Sequence, residues 1–309
     1  MHPCKVGSAW KIQASAKLNL YLEILGPRAD GFHALETLMV PVQLYDQLFY
    51  WPDNRLPLSL QVRDLRPGRR QLDQLGCDKE NLVVRAARLL ADSAGIAPFG
   101  RFDLVKRIPV RAGMGGGSSD AAAALQLANV AWGLGYTRQQ LQPLAAELGS
   151  DVPFFLESTA AICRGRGEQV QPVVGLPRLH FVIATPPEGL STAEVFGEAR
   201  KFDYSESMVS DSQTKIAKLV AALQCGAIAE AASGMTNRLE DAATRLAPWL
   251  TQIRAIFRRA GCIAQFLTGS GSAYVGLARS AIHARQTAGK LRNLQTERGL
   301  GHVLATSSW

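Results

Sequence analysis

The residues from Pro109 to Asp120 read Pro-Val-Arg-Ala-Gly-Met-Gly-Gly-Gly-Ser-Ser-Asp, with glycine at 113, 115, 116 and 117. Glycines carry no Cβ, so successive backbone N–H groups can turn toward one point. A helix starting just beyond them adds unpaired donors and the positive end of its dipole. Such a cup suits a di- or triphosphate. Ser118 and Ser119 would add hydroxyl donors or hold a magnesium ion. The plainer alternative is a flexible turn closed by a serine cap, and the strand, glycine-loop, helix context favours phosphate. Two common phosphate loops do not fit. A Walker A motif needs Gly-Lys before Ser or Thr, and Gly117 is followed by Ser118. A dinucleotide fold needs a third spaced glycine and an acid about 20 residues on, whereas position 118 is Ser and no acid stands between Asp120 and Glu147.

Three further segments carry groups that could join a phosphate. Lys17 lies inside the apolar run Ala14-Ser-Ala-Lys-Leu-Asn-Leu, where an ammonium is costly to bury without an anionic partner. A strand-edge lysine reaching for water accounts for that segment equally well. Asp151 stands between a helix end and the wall Val152-Pro-Phe-Phe, a setting that could orient a carboxylate. Taken alone it reads as a turn or cap residue. Thr268-Gly-Ser-Gly-Ser272 is a second small-residue turn that could brace the phosphate loop or close over a substrate, although hairpins use the same residues.

The elements that must position these groups alternate between strand and helix. A buried strand is expected over 18–25, a polar turn at Arg28 to His33, more strand over 37–50, and loops with short strands over 52–76. Helical spacing runs from Glu80 to Ala94 and stops at Gly95. A strand over 101–108 runs into Pro109, and a helix follows from Ala121 to Gly133 or Gly135. Thr137 and Gln140 form a capping box for a second helix closed by Gly149, ahead of a polar turn at 150–153. Further on come a strand at 179–184, helices around 212–232 and 238–260, paired β pieces at 263–267 and 273–277, and a helix over 281–297. Strands and helices in both halves give an α+β or α/β protein.

The chain has 309 residues, about twice a typical domain, so two domains are expected. With 47% hydrophobic and 19% charged residues it can bury a large core, which excludes a disordered or collagen-like chain. A net charge of +8 suits a polyanionic partner, whether nucleotide, phosphorylated metabolite or RNA. The five cysteines, Cys4, Cys77, Cys163, Cys225 and Cys262, form no Cys-x-x-Cys pair, which points to a reduced, cytoplasmic setting without a disulfide framework. The five histidines are scattered, and no metalloenzyme motif is visible. No signal peptide is read in Met1 to Ile12, and no apolar stretch is long enough to span a bilayer.

All four segments, in this order, resemble the GHMP small-molecule kinase superfamily, with its lysine strand, its P-x-x-x-G-[LM]-G-G-G-S-S-[DN] loop and its late glycine turn. Further matches point to one branch of it: Ala16-Lys-Leu-Asn-Leu20, Arg28-Ala-Asp-Gly-Phe-His33 with Glu36-Thr37, Gly149-Ser-Asp-Val-Pro-Phe-Phe155 and Gly165-Arg-Gly-Glu168. That branch phosphorylates the 2-hydroxyl of 4-(cytidine 5'-diphospho)-2-C-methyl-D-erythritol with ATP. The resemblance implies a two-domain α+β fold. The N-terminal domain (1–170) would be like the second domain of ribosomal S5, and the C-terminal domain (171–309) ferredoxin-like, with ATP and substrate between them. It makes Asp151 the general base and sets Lys17 beside it to stabilise the transferring phosphoryl group. The nucleotide would lie on Pro109, Val110, Arg111, Ala112, Gly113, Met114, Gly115, Gly116, Gly117, Ser118 and Ser119, with Mg2+. Substrate would meet Asn19, Phe32, His33, Phe196 and Gly269. Three departures stand out: Ser15 where proline is usual, Phe32 where tyrosine is commoner, and Arg238 in the acidic position of an Asn-Asp-Leu-Glu-like segment, Asn237-Arg-Leu-Glu240.

Three rivals remain in view. A superfamily kinase for homoserine, a sugar or a mevalonate derivative conflicts with Phe32-His33. A nucleotide binder without activity conflicts with the retained Lys17 and Asp151. An RNA-binding S5-like protein would use the basic groups Arg63, Arg66, Arg69 and Arg70, or Lys106, Arg107 and Arg111, but aromatics are only 7% and do not interleave with them. Monomer and homodimer are equally compatible with the sequence.

Overall fold

The computed structural model describes residues 2–65, 80–205, 207–294 and 299–309. Arg66, Arg69, Arg70 and Cys77 lie outside them. The chain packs as two compact units, each built from three separate stretches: 1–16, 44–108 and 115–158 in the first, 17–43, 109–114 and 159–309 in the second.

The first unit holds β1 (Cys4–Val6), the start of β2 (Ala9–Pro27) and the end of β3 (His33–Trp51). It also holds β4 (Ser59–Asp64), α1 (Leu82–Ala94), β5 (Arg101–Lys106), α2 (Gly116–Ala131), α3 (Arg138–Leu148) and α4 (Val152–Glu157). β5 pairs antiparallel with β3, Gln47 opposite Val105, and parallel with β4, Ser59 opposite Arg101. Gly95 ends α1 in the left-handed conformation at φ 66°, and Thr137 and Gln140 make the full capping box of α3, both as the residue types require. α2 starts at Gly116, five residues earlier than its alanine run suggests, because Gly115 at φ 70° turns the chain directly into the helix. Its alanines 121–124 are completely buried, and side chains this small allow close packing against α1. The polar turn expected at 150–153 passes straight into α4, whose second residue is Pro153.

The second unit holds the remainder of β2 and β3, then β6 (Ala161–Arg164), β7 (Gln169–Pro172), β8 (His180–Thr185), α5 (Thr192–Ala199), α6 (Ser207–Gln224) and α7 (Ile228–Gly234). After these come β9 (Thr236–Asn237), α8 (Leu239–Leu246), α9 (Leu250–Arg259), β10 (Ala264–Leu267), β11 (Tyr274–Ala278), α10 (Ala281–Asn293) and β12 (His302–Ser307). β8, β10, β11 and β12 form an antiparallel sheet in the order β10-β11-β8-β12, with helices between β8 and β10 and between β11 and β12. This is the ferredoxin-like arrangement. Its buried face packs Val182, Ala184, Leu267 and Tyr274 against Ile253, Phe257, Ala288 and Leu291 of the helices. Two expected long helices are each broken. Gly226 at φ 74° separates α6 from α7, and Pro248, which cannot continue a helix, separates α8 from α9.

β2 alternates poorly in sequence because it is buried on both faces. From Ala14 to Leu22 every residue is buried, including Ser15, Lys17 and Asn19. Lys17, Asn19 and Tyr21 share one face, as a two-residue period requires.

Candidate active site

In the second unit Lys17 is 3% exposed, and its Nζ donates to Asn19 Oδ1 at 2.6 Å. The Asn19 amide is fixed in turn. Its Nδ2 donates to Thr37 Oγ1 at 2.9 Å, its backbone N–H to Thr268 Oγ1, and its Oδ1 also accepts from the Thr268 hydroxyl at 3.3 Å. Asn19, a candidate substrate contact, is therefore also what orients the lysine. The Lys17 backbone N–H donates to Met114 O at 3.0 Å, which ties the lysine strand to the glycine segment.

The late glycine turn braces the first part of that segment. Ser272 and Ala273 donate their N–H groups to the carbonyls of Arg111 and Ala112. A Cβ on Gly113 would lie 1.9 Å from Thr268 O, and Gly113 has φ 71°, so no other residue fits there. A Cβ on Gly269 would lie 2.9 Å from Gly113 O and 3.3 Å from Lys17 Nζ. Gly269, Gly113 and the ammonium thus meet at backbone distance, and Gly269 acts here as packing surface for the loop. Asn237 secures the turn by donating to both Leu267 O and Gly269 O at 2.7 Å, while its Oδ1 accepts from Leu239 N at the start of α8. Sequence reading missed Asn237 as a site residue, although it begins the Asn-Arg-Leu-Glu segment. Arg238, in that segment's acidic position, turns away to lie over the Phe202 ring and beside Asp241 and Glu23.

Pro109 is half-buried, Ala112 and Met114 are buried, and Val110 and Arg111 are exposed. In the first unit Gly115 caps α2 and Gly116, Gly117, Ser118 and Ser119 make its first turn. Gly117 is exposed, Ser118 half-exposed and Ser119 buried. The start of α2 thus offers N–H groups of the kind that bind phosphate. Asp151 is half-buried and holds the position before α4 without any side-chain capping bond, so its carboxylate is not spent on the cap role that its local sequence suggests. Val152, Pro153, Phe154 and Phe155 behind it are fully packed.

A separate group of residues in the second unit surrounds His33. The polar turn is locked by Asp30, which accepts from Arg28 Nη2 at 2.9 Å and from the Phe32 N–H at 3.1 Å. Phe32 is 47% exposed, with the Arg166 guanidinium 5.0 Å over its ring. His33 is buried against Phe196 with ring centroids 5.4 Å apart, and its Nε2 is among the buried atoms with no hydrogen-bond partner. Burial first, then the Arg200 charge, lowers the His33 pKa, so the ring is neutral near pH 7. Glu36 holds the surrounding frame, accepting from Arg164 Nε and Ser212 Oγ, each at 2.7 Å. Of the neighbouring motifs, Gly165-Arg-Gly-Glu168 sets Arg166 over Phe32, its N–H held by Glu168, while Thr37 belongs to the Asn19 network.

Among the described residues no group of three His, Cys, Asp or Glu side chains could hold a metal, and no helix is long and apolar enough to cross a membrane. Magnesium bound mainly by nucleotide phosphates needs no such protein cage, and one or two protein oxygens suffice. The Ser118 hydroxyl in the first turn of α2 fits that need.

Comparison with known proteins agrees with this layout. The family model for the GHMP kinases N terminal domain matches residues 81–159, and that for the GHMP kinases C terminal domain matches 217–295. A 4-diphosphocytidyl-2-C-methyl-D-erythritol kinase from Pelotomaculum thermopropionicum is 38% identical over 281 residues, covering 90% of this chain and 92% of that protein. The crystal structure of a 4-(cytidine 5'-diphospho)-2C-methyl-D-erythritol kinase superposes with a TM-score of 0.76 at 33% identity, covering 97% of this chain and 99% of the other. A homoserine kinase from Cytophaga hutchinsonii also reaches a TM-score of 0.76, covering 100% and 97% of the two chains, but at 18% identity it shares the fold alone. Backbone shape is common to these kinases while sequence separates them, and by sequence the chain belongs to the 4-diphosphocytidyl-2-C-methyl-D-erythritol kinase family of the GHMP kinases.

Proposed function

We propose that the protein transfers the γ-phosphate of ATP to the 2-hydroxyl of 4-(cytidine 5'-diphospho)-2-C-methyl-D-erythritol, a cytoplasmic step of non-mevalonate isoprenoid synthesis. The observation that carries this reading is the 38% identity to a kinase of that name across 90% of the chain. Fold likeness cannot carry it, because a homoserine kinase is equally similar in shape.

Phosphoryl transfer asks mainly for positioning and for stabilisation of charge on the moving group. ATP is the co-substrate, and a magnesium ion, which the Ser118 hydroxyl would help to hold, would supply neutralisation of phosphate charge. The segment Pro109–Ser119 receives the phosphates through backbone N–H groups, and Ser118 and Ser119 add hydroxyls. Asp151 accepts the proton of the attacking hydroxyl, and Lys17, aimed by Asn19, stabilises the charge that develops on the phosphoryl oxygens. Phe32 and Phe196 flank the cytosine ring. The neutral His33 offers its unpartnered Nε2 to the polar edge of that base. We divide the chain at about residue 170, between the stretches matched by the two family models.

The test is ADP release coupled to a reporter enzyme, with the cytidine diphosphate substrate, its uridine analogue, homoserine and mevalonate as acceptors. We expect turnover with the cytidine compound and a clear preference over uridine. Equal rates on the two bases, or a preference for homoserine or mevalonate, would refute the substrate assignment.

A further inference from the structure

Besides the residues assigned above, the first unit buries an ionic group beside the start of α2. Lys106, at the end of β5, is 2% exposed and forms ion pairs with Asp46 of β3 and, at 2.7 Å, with Asp120 of α2. Asp46 is completely buried, and its Oδ1 accepts the backbone N–H groups of Arg107 and Ile108 at 2.5 and 2.9 Å. Those residues immediately precede Pro109. Asp120 is the fifth residue of α2, so its side chain points back over the helix's first turn. A Cβ on Gly116 would come within 3.2 Å of Lys106 Nζ and 3.0 Å of the Ile108 side chain, so the first residue of α2 rests on the ammonium. One group therefore grips the chain entering the glycine segment through Asp46, the helix leaving it through Asp120, and the helix start through Lys106. The arrangement also withdraws Lys106 from the basic groups that an RNA-binding protein would use: two acids distant in sequence take it into the core.

Burying a cation and two carboxylates is a costly way to join three elements, and packed apolar side chains commonly stabilise as well or better. An ionic link does offer a fixed geometry, and a loop that binds phosphate through N–H groups depends on theirs. We infer that Lys106, with Asp46 and Asp120, is a positioning residue for the nucleotide, holding the glycine segment and the first turn of α2 in the shape that receives the phosphates. The inference rests on the kinase reading above.

The test measures MgATP affinity by titration calorimetry, and kcat with both KM values, on the full chain. One variant is Asp46→Asn. The other is Lys106→Met combined with Asp46→Asn and Asp120→Asn, a neutral set of nearly unchanged volume. We expect the dissociation constant for MgATP to rise at least about tenfold in both, while the KM for the cytidine acceptor and kcat at saturating nucleotide stay within about threefold. A folded triple variant with wild-type nucleotide affinity overturns the inference, and so does an equal rise in both KM values. A triple variant that cannot fold also overturns it, since the cluster is then a determinant of folding. The wild-type control separates this from the kinase reading. If the unaltered protein neither binds MgATP nor phosphorylates the cytidine compound, that earlier reading fails instead.

Discussion

Lys17 and Lys106 are both almost wholly buried, and each lies close to a glycine, Gly269 for Lys17 and Gly116 for Lys106. Their surroundings differ. Lys106 lies between two carboxylates, whose charges more than offset the effect of burial and raise its pKa. Lys17 hydrogen-bonds the amide oxygen of Asn19, which is itself held by Thr268. Two carboxylates consume a cation's field and convert it into a structural link. An amide oxygen fixes the direction of an ammonium, so that its charge can be aimed at a reacting group. Burial alone therefore says little about a lysine's role. The elements that its partners tie together say more.

The contrast makes its largest prediction in turnover. Lys17→Ala and Asp151→Asn should each lower kcat by about 10²–10⁴-fold, with MgATP affinity retained, as followed by single-turnover phosphoryl transfer. A Lys17→Ala enzyme working at wild-type rate would remove the distinction between the lysines. Next comes stability. Lys106→Ala leaves two buried carboxylates without their cation and should cost about 3–5 kcal/mol in urea unfolding. A smaller step is Asn237→Ala, which deprives the carbonyls of Leu267 and Gly269 of their shared donor. Its expected cost is about 1–3 kcal/mol, with a drop in kcat from the loosened Gly269–Gly113 contact. An unchanged melting temperature would show that the turn holds itself.

The ionic group also sets a pH dependence. Burial, reinforced by Asp46 and only partly offset by Lys106, raises the Asp120 pKa to about 8. The unfolded carboxyl ionises in the ordinary carboxylate range, so between that range and about pH 8 the folded state binds the extra proton. Stability should therefore fall as pH rises through this window, by at most about 1.4 kcal/mol per pH unit, and level off above it. Asp120→Asn should flatten the slope when unfolding is followed from pH 5 to 9. A slope that survives the substitution belongs to other groups.

Much of the site is legible in the residue types, because phosphate chemistry makes local demands. Gly113 and its neighbours can be picked out from spacing and chemistry, as can the helix stops at Gly95 and Gly149, whereas Lys17 and Asp151 taken alone read as well or better as a strand-edge lysine and a turn residue and stand out only through the family resemblance. Their assignment to catalysis is still a proposal. Helix lengths were less legible, because Gly226 and Pro248 interrupt a hydrophobic period that continues across them. Single substitutions in a periodic stretch weigh little beside the period itself. What the sequence determines by itself are the features whose cause lies within a few residues: glycine conformations, caps, strand and helix periods, and the motif set that marks the family. Only the tertiary structure decides which distant groups share a space. Asp46 and Asp120 are 60 and 14 residues from Lys106, and Thr268 is 249 from Asn19. These partners meet because the pairing of strands and the packing of helices bring them together, and a buried charge or amide takes its function from whatever that packing sets beside it.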